Sequence, residues 1–183
     1  SDLIEQFNKH TNKFKVFAFG KDKWDVSNIK QTEVIFSNVK PDIVVQGASF
    51  HNVENINEDP VKACEVNIVS LKEMSEMCNV HKAILINFST DYVLSGTSFQ
   101  GLTSLGYSEE VTTDPLNFYG VTKLAGEQTI KNICEKYMNI RVSSLFGKKG
   151  SSAKNWTNFP LMMIKKYNEN NDIIKVIHDQ WMC

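Results

Sequence analysis

The chain has 183 residues, 42% of them hydrophobic and 22% charged, with a formal net charge of -1. That length suits one domain with its own core, and the near-neutral balance excludes nucleic acid and an anionic membrane surface as main partners. No apolar run approaches the roughly 20 residues that span a bilayer, and residues 1–13 lack the basic start and apolar core of a secretion signal. The four cysteines, Cys64, Cys78, Cys134 and Cys183, show neither CxxC spacing nor companion histidine pairs. We read them as free thiols of a cytoplasmic protein. Asn87-Phe88-Ser89 and Asn155-Trp156-Thr157 match the glycosylation sequon, which has no meaning in that compartment.

Taken in chain order, Leu3, Ile4 and Phe7 are spaced as one face of a short helix. Phe14–Phe19 is a β-rich run stopped by Gly20. Ile29, Val34, Ile35 and Val39 fit a helix over about 27–39 that Pro41 closes. Ile43-Val44-Val45 reads as a strand, and a longer helix follows Pro60 through Met77. Ala83–Phe88 is apolar at nearly every position, the pattern of a strand buried on both faces. Residues 94–116 read as a long loop, 118–137 as a helix, and Ile140–Phe146 as the next strand. Residues 148–155 form a polar connection, 158–167 a helix, and Ile173–Ile177 a final strand. Strands alternating with helices predict an α/β fold with a doubly wound parallel sheet, and ligands in that class lie beyond the carboxyl ends of the strands.

The chemistry-bearing residues follow strands in this way. Tyr119-Gly120-Val121-Thr122-Lys123 puts a phenol and an ammonium on one helix face. An ammonium beside a phenol, whose unperturbed pKa is about 10, draws that pKa toward the working range. Ser89-Thr90-Asp91 ends the Ala83 strand, where a hydroxyl can donate to a carbonyl oxygen; a cap or Asx-turn is the alternative for such a trio. A strand-end hydroxyl, a long loop and then YxxxK is the Ser/Thr-Tyr-Lys arrangement of short-chain dehydrogenases.

The resemblance then becomes specific. Pro41–Ser49 (PDIVVQGAS) is similar to the "PDVVINAAA" segment of the dTDP-4-dehydrorhamnose reductase (RmlD-like) family of extended short-chain dehydrogenases/reductases. Ser89–Gly96 (STDYVLSG) resembles its "STDYVFDG". Tyr107–Glu109, Asp114-Pro115 and Tyr119–Glu127 resemble its "Y.E" and "P..YG.SK..GE" series. Asn158-Phe159 and Asp179-Gln180 resemble its "NF" and "DQ", so the match runs in order from about Asp25 to Gln180.

The resemblance implies a Rossmann-like NAD(P)-binding domain and NADPH-dependent reduction of the keto group of a nucleotide-activated deoxysugar. Thr90 would polarise the carbonyl, Tyr119 would be the general acid, and Lys123 its partner and a holder of the nicotinamide ribose. Asp25 and Val26 would lie near the adenine. Gly47, Ala48 and Ser49 would pass against the ribose and pyrophosphate, and Asn67 would support the active-site strand. Lys21 could meet the 2′-phosphate of NADPH, with NADH and a plain solvated charge as the alternatives. The expected substrate is a nucleotide sugar, a homodimer is compatible, and a magnesium ion at a subunit contact would come from the resemblance alone.

The same comparison implies that the first strand and its phosphate-binding glycine loop precede Ser1, since Ser1–Ile4 looks like the helix after that turn. Residues 1–177 would then be the nucleotide-binding part, and 178–183 the start of a C-terminal substrate-binding portion. Ser144 stands where a substrate-facing Trp is usual, His51 where Thr is usual, and Leu94-Ser95-Gly96 replaces "FDG". Two alternatives stay open: a non-catalytic NADP-binding module like the regulatory subunit of methionine adenosyltransferase, and a sugar-nucleotide epimerase or dehydratase. Tyr92 occupies the position where a dehydratase more often has an acid.

Overall fold

A computed structural model describes residues 2–10, 12–96, 102–103, 106–143 and 145, in two compact units. The first contains α1 (Asp2–Asn8), where Phe7 meets Phe14 edge to face at 5.3 Å. The second, residues 19–142, carries the sheet and the candidate site.

In the second unit the elements run α2 (Ile29–Val39), β1 (Ile43–Gln46), α3 (Val53–Glu58), α4 (Pro60–Cys64), a π-helical turn (Glu65–Val69), α5 (Ser70–His81), β2 (Ile84–Thr90), a 3-10 turn (Asp91–Val93), the two-residue strands β3 (Leu102–Thr103) and β4 (Gly106–Tyr107), α6 (Phe118–Ile133) and β5 (Tyr137–Val142). The sheet order is β1-β2-β5, all parallel, so the expected α/β class with a parallel sheet is what the chain adopts. Val44 pairs with Leu85, Gln46 with Asn87, Asn87 with Asn139 and Ser89 with Arg141. Register partners point to the same face.

Local chemistry sets the boundaries. The Asn28 side chain accepts from Gln31 N–H at the start of α2, and Asp59 caps α4 with Pro60 in its first turn. Lys40 and Lys82 close α2 and α5 in left-handed conformation, with φ 48° and 57°. Phe36, Val44, Leu71, Met74, Leu85 and Ile130 form one buried cluster that binds α2, α5 and α6 to the sheet. Asn87 is 1% exposed within β2, so its sequon is closed to any glycosylating enzyme.

Two expectations change. Phe14–Phe19 is not a strand: it has no ladder partner among the described residues, and Phe14, Val16, Phe17 and Phe19 are exposed. A β-rich run becomes a strand only where a neighbour takes its N–H and C=O groups. The helix expected over 118–137 ends at Ile133, and β5 begins at Tyr137 rather than Ile140. Asn79 explains the stop, because its amide donates to Ile133 O at 2.8 Å and accepts from Glu135 N at 2.9 Å. This clamp satisfies the helix end and frees Tyr137 and Met138 to pair with Leu85 and Ile86. The calls over 148–155, 158–167, 173–177 and 178–183 lie outside the described residues. No helix among the described residues is long and apolar enough to cross a membrane.

One packing contact is close enough to test. A Cβ on Gly126 of α6 would stand 2.5 Å from Asn67 O and 2.7 Å from Leu71 Cδ1. Gly126→Ala gains up to about 1 kcal/mol of helix propensity. Overpacking against backbone costs about 1–3 kcal/mol, and that term wins. Thermal unfolding should show a lowered midpoint; a raised one would mean that the two helices separate without penalty.

Candidate active site

The site lies where α6 begins and β2 ends. Asn117 caps α6 by accepting from Gly120 N–H at 2.8 Å, which fixes the first turn. Gly120 is required there: a Cβ would overlap the carbonyl of Tyr92, so α6 rests directly on the 3-10 turn that follows β2. Tyr119 and Lys123 then face the strand end, as their spacing predicts. The Lys123 ammonium, on a residue only 4% exposed, donates to Phe88 O at 2.7 Å. Tyr119 meets the Tyr92 ring edge to face at 5.9 Å.

At the end of β2 the two candidate hydroxyls part ways. Ser89 is buried, and its Oγ has no hydrogen-bond partner among the described residues. Thr90 instead turns to the site. Its Oγ1 donates to Asp91 Oδ1 at 3.1 Å and accepts from Tyr92 N–H at 3.2 Å, and the hydroxyl stands near enough to the Tyr119 phenol to act on its pKa. The cap reading of this trio therefore holds for Thr90, which also lies beside the Tyr119 phenol.

A third wall comes from the loop after β1. The Ser49 hydroxyl also stands near enough to the Tyr119 phenol to act on its pKa. It was expected as a small residue beside a ligand, and the role of its hydroxyl had no signal in the sequence. Asn67, 1% exposed, explains how the loop is held. Its amide accepts from Phe50 N–H at 2.9 Å and from the Ser49 hydroxyl at 3.4 Å. It donates to Phe50 O at 2.9 Å and to Thr122 Oγ1 at 3.0 Å. Asn67 thus ties the loop to α6; the expected support of the strand is replaced by support of loop and helix. Asn67 is the buried residue of the π turn, a feature frequent at functional sites.

Electrostatics depart from the expectation for the phenol. Burial pushes Tyr119 above the usual tyrosine range, opposed by the neighbouring Thr90 and Ser49 hydroxyls, and Asp91 and Tyr92 add to the rise. The Lys123 ammonium, which the spacing predicts to lower the phenol, is held instead on the Phe88 carbonyl. Burial in turn lowers Lys123 to about 8, with Glu127 opposing. The phenol therefore keeps its proton at neutral pH, as a proton donor must.

The remaining expected residues spread along the same edge. Gln46 accepts from Ala48 N–H at 3.0 Å, shaping the turn, while its Nε2 is buried without a partner among the described residues. A Cβ on Gly47 would meet nothing within 4 Å, so that turn borders open space rather than packed protein. Asp25 takes the Ser27 hydroxyl at 2.7 Å and its N–H at 3.0 Å, bonds that hold its carboxyl below the ordinary range. Lys62 donates to Ser27 Oγ at 2.9 Å, joining α4 to this loop. Val26 is buried in the core cluster, with its backbone beside Asp25, and Lys21 is exposed. Among the described residues no group of three or more His, Cys, Asp or Glu stands together to hold a metal ion.

Against known proteins, the family model described as the RmlD substrate binding domain matches residues 1–183. The chain belongs to this family. Among its curated relatives are the dTDP-4-dehydrorhamnose reductases of Salmonella typhimurium and Escherichia coli, 31% and 32% identical over 157 residues. Each alignment covers 86% of the chain and 48% of the relative, so the chain spans about half the length of the curated relatives it matches. Solved structures agree. A dTDP-4-dehydrorhamnose reductase from Bacillus anthracis in complex with NADP is 28% identical, with TM-score 0.76 over 91% of this chain and 56% of that one. The ortholog from Clostridium acetobutylicum is 26% identical, with TM-score 0.80 over 96% and 58%.

Two of the departures within this RmlD-family chain lie among the described residues. His51 is exposed, and its Nδ1 lies 3.3 Å from Ser49 O, in the loop that reaches Tyr119. Leu94 and Ser95 are half-buried beyond the 3-10 turn. Ser144 lies outside the described residues.

Proposed function

We propose that this chain carries the proton-delivery and cofactor-facing part of an NADPH-dependent reductase acting on the keto group of a nucleotide-activated deoxysugar. The observation that carries the reading is the convergence of Thr90 and Ser49 on a protonated Tyr119, with Lys123 one helical turn away. The open space at Gly47 and the orphaned amide of Gln46 suit a dinucleotide at this edge, with Asp25 and Val26 toward its adenine. Lys21 would meet the 2′-phosphate, and Lys123 the nicotinamide ribose. When bound, the dihydronicotinamide supplies the hydride.

The chain's own residues do the rest. Thr90 orients the carbonyl oxygen, which requires its hydroxyl hydrogen to leave Asp91 for the substrate. Tyr119 delivers its proton to that oxygen as negative charge develops there. Lys123 stabilises the phenolate that remains. The buried walls formed by β2, α6 and the loop held by Asn67 keep the geometry without rearrangement during reaction.

The test is NADPH oxidation by the protein at its natural length with dTDP-4-keto-6-deoxysugars. Turnover is the expected result. Tight NADPH binding with no consumption against any nucleotide-4-ketosugar would overturn the reading. Lys21→Ala should weaken NADPH while leaving NADH unchanged, measured as the ratio of their Kd values. Equal weakening of both would remove Lys21 from the 2′-phosphate.

A further inference from the structure

Glu127 and Arg141 form an ion pair that the proton-delivery scheme does not use. Glu127 is 5% exposed and lies one turn beyond Lys123 on the same face of α6. Arg141 of β5 reaches it with two parallel bonds, Nε to Oε1 at 3.1 Å and Nη2 to Oε2 at 2.8 Å. This forked geometry fixes direction as well as distance. Arg141 is the register partner of Ser89, the residue after Phe88, whose carbonyl holds the Lys123 ammonium at 2.7 Å. Two anchors one helical turn apart therefore fasten α6 to two adjacent strands at the same level. The second is reinforced by Asn139, which accepts from Asn87 at 3.0 Å and donates to Glu127 O at 3.5 Å.

We propose that the Glu127–Arg141 pair is a positioning device for Lys123, holding its ammonium at the strand end and setting its charge state through the balance of the two opposite charges. The proposal rests on the reading of Thr90, Tyr119 and Lys123 given above. The charged or titratable groups on elements packed against α6 include Asp91 and Tyr92 in the 3-10 turn, Arg141 on β5, Glu65 in the π turn, Glu58 on α3, Lys62 on α4 and Glu73 on α5. Of these, and of Tyr119 and Glu127 on α6 itself, Glu127 acts most directly on Lys123, and Arg141 acts through the carboxylate it grips. The Glu127 carboxylate favours the ammonium, and Arg141 partly cancels that field.

The two halves of the pair must then act in opposite directions. Glu127→Gln removes the favourable charge and leaves Arg141 uncompensated, so the Lys123 pKa falls. Arg141→Met leaves Glu127 uncancelled, so it rises. A merely structural pair predicts no such split, since either variant would loosen the same contact.

The experiment uses the protein at its natural length. The pH dependence of Lys123 acetylation by acetic anhydride, read by peptide mass spectrometry, gives its titration without substrate. The pH profile of kcat for NADPH-dependent reduction gives it in turnover. Midpoints moving about one unit down in E127Q and about one unit up in R141M are expected. Shifts of one sign, or none, in folded variants would overturn the proposal; R141Q replaces R141M if methionine is not tolerated. Opposite shifts in labelling without turnover by the parent protein would sink the catalytic reading and leave the charge balance standing. Turnover with no split would do the reverse.

Discussion

Tyr119→Phe should lower kcat on the order of 10²–10⁴-fold while leaving the unfolding midpoint and NADPH affinity close to those of the parent. The substitution removes one oxygen and nothing else. Thr90 keeps Asp91 and the Tyr92 N–H, and Ser49 keeps Asn67, so neither hydroxyl is stranded. The ring keeps its edge-to-face contact with Tyr92. What disappears is the protonated phenol, which burial holds above the ordinary tyrosine range. Steady-state kinetics on the protein at its natural length would check this. Retention of more than about a tenth of kcat would mean that another group delivers the proton, given the usual size of a general-acid contribution.

The sign of the pH dependence follows from the same groups. The proposed reduction needs a protonated Tyr119 and a charged Lys123. The phenol is raised and the ammonium lowered to about 8, so Lys123 titrates first as pH rises. Activity should be present below that value and fall as pH passes through it. An alkaline limb unchanged in Lys123→Arg, whose guanidinium does not titrate in this range, would assign the limb to another group.

Asn67→Ala should be the most damaging change outside the three reacting residues. The wild-type amide makes four hydrogen bonds in a setting 1% exposed, and alanine strands Phe50 N–H and the Thr122 hydroxyl's acceptor side. Leaving buried partners unsatisfied costs roughly 1–3 kcal/mol each, so a loss of about 2–4 kcal/mol is expected in urea or thermal unfolding. The loop carrying Ser49 would also lose its tie to α6, and kcat should fall further than the loss of folded protein explains. Asn67→Asp separates the two effects. It still accepts from Phe50 and Ser49 but donates to neither Phe50 O nor Thr122. Full activity in Asn67→Ala with unchanged stability would show that the loop is held by other contacts.

The trio Thr90, Tyr119 and Lys123 was legible because each member sits in a contiguous motif with a local geometric meaning. A helix places i and i+4 together whatever surrounds it, and a strand end presents its last hydroxyl outward. The choice of Thr90 over Ser89 was not a matter of periodicity alone. The resemblance pointed to Thr90, and in the structure both hydroxyls are buried, with Thr90 the one beside the Tyr119 phenol. The apolar run from Ile84 to Phe88 announced a parallel strand for the same local reason, though burial on both faces is not what it shows, since Ile84 is exposed and burial alternates along it.

Other features could not be read that way. The β-rich run Phe14–Phe19 has the propensity of a strand and no ladder partner among the described residues. The direction of the Tyr119 shift depends on burial and on where the Lys123 ammonium goes, and both are set by distant chain. The hydroxyl of Ser49, the clamp of Asn67 and the Glu127–Arg141 pair each join residues from different elements.

By itself, then, the sequence determined the class of fold, the family and the identities of the groups at the strand end, because these follow from local periodicity and contiguous motifs. Tertiary structure alone decided which hydroxyls meet the phenol, which carbonyl holds the lysine and how charged each group is. Hydrogen bonds and desolvation are properties of neighbours in space, and those neighbours lie tens of residues apart along the chain.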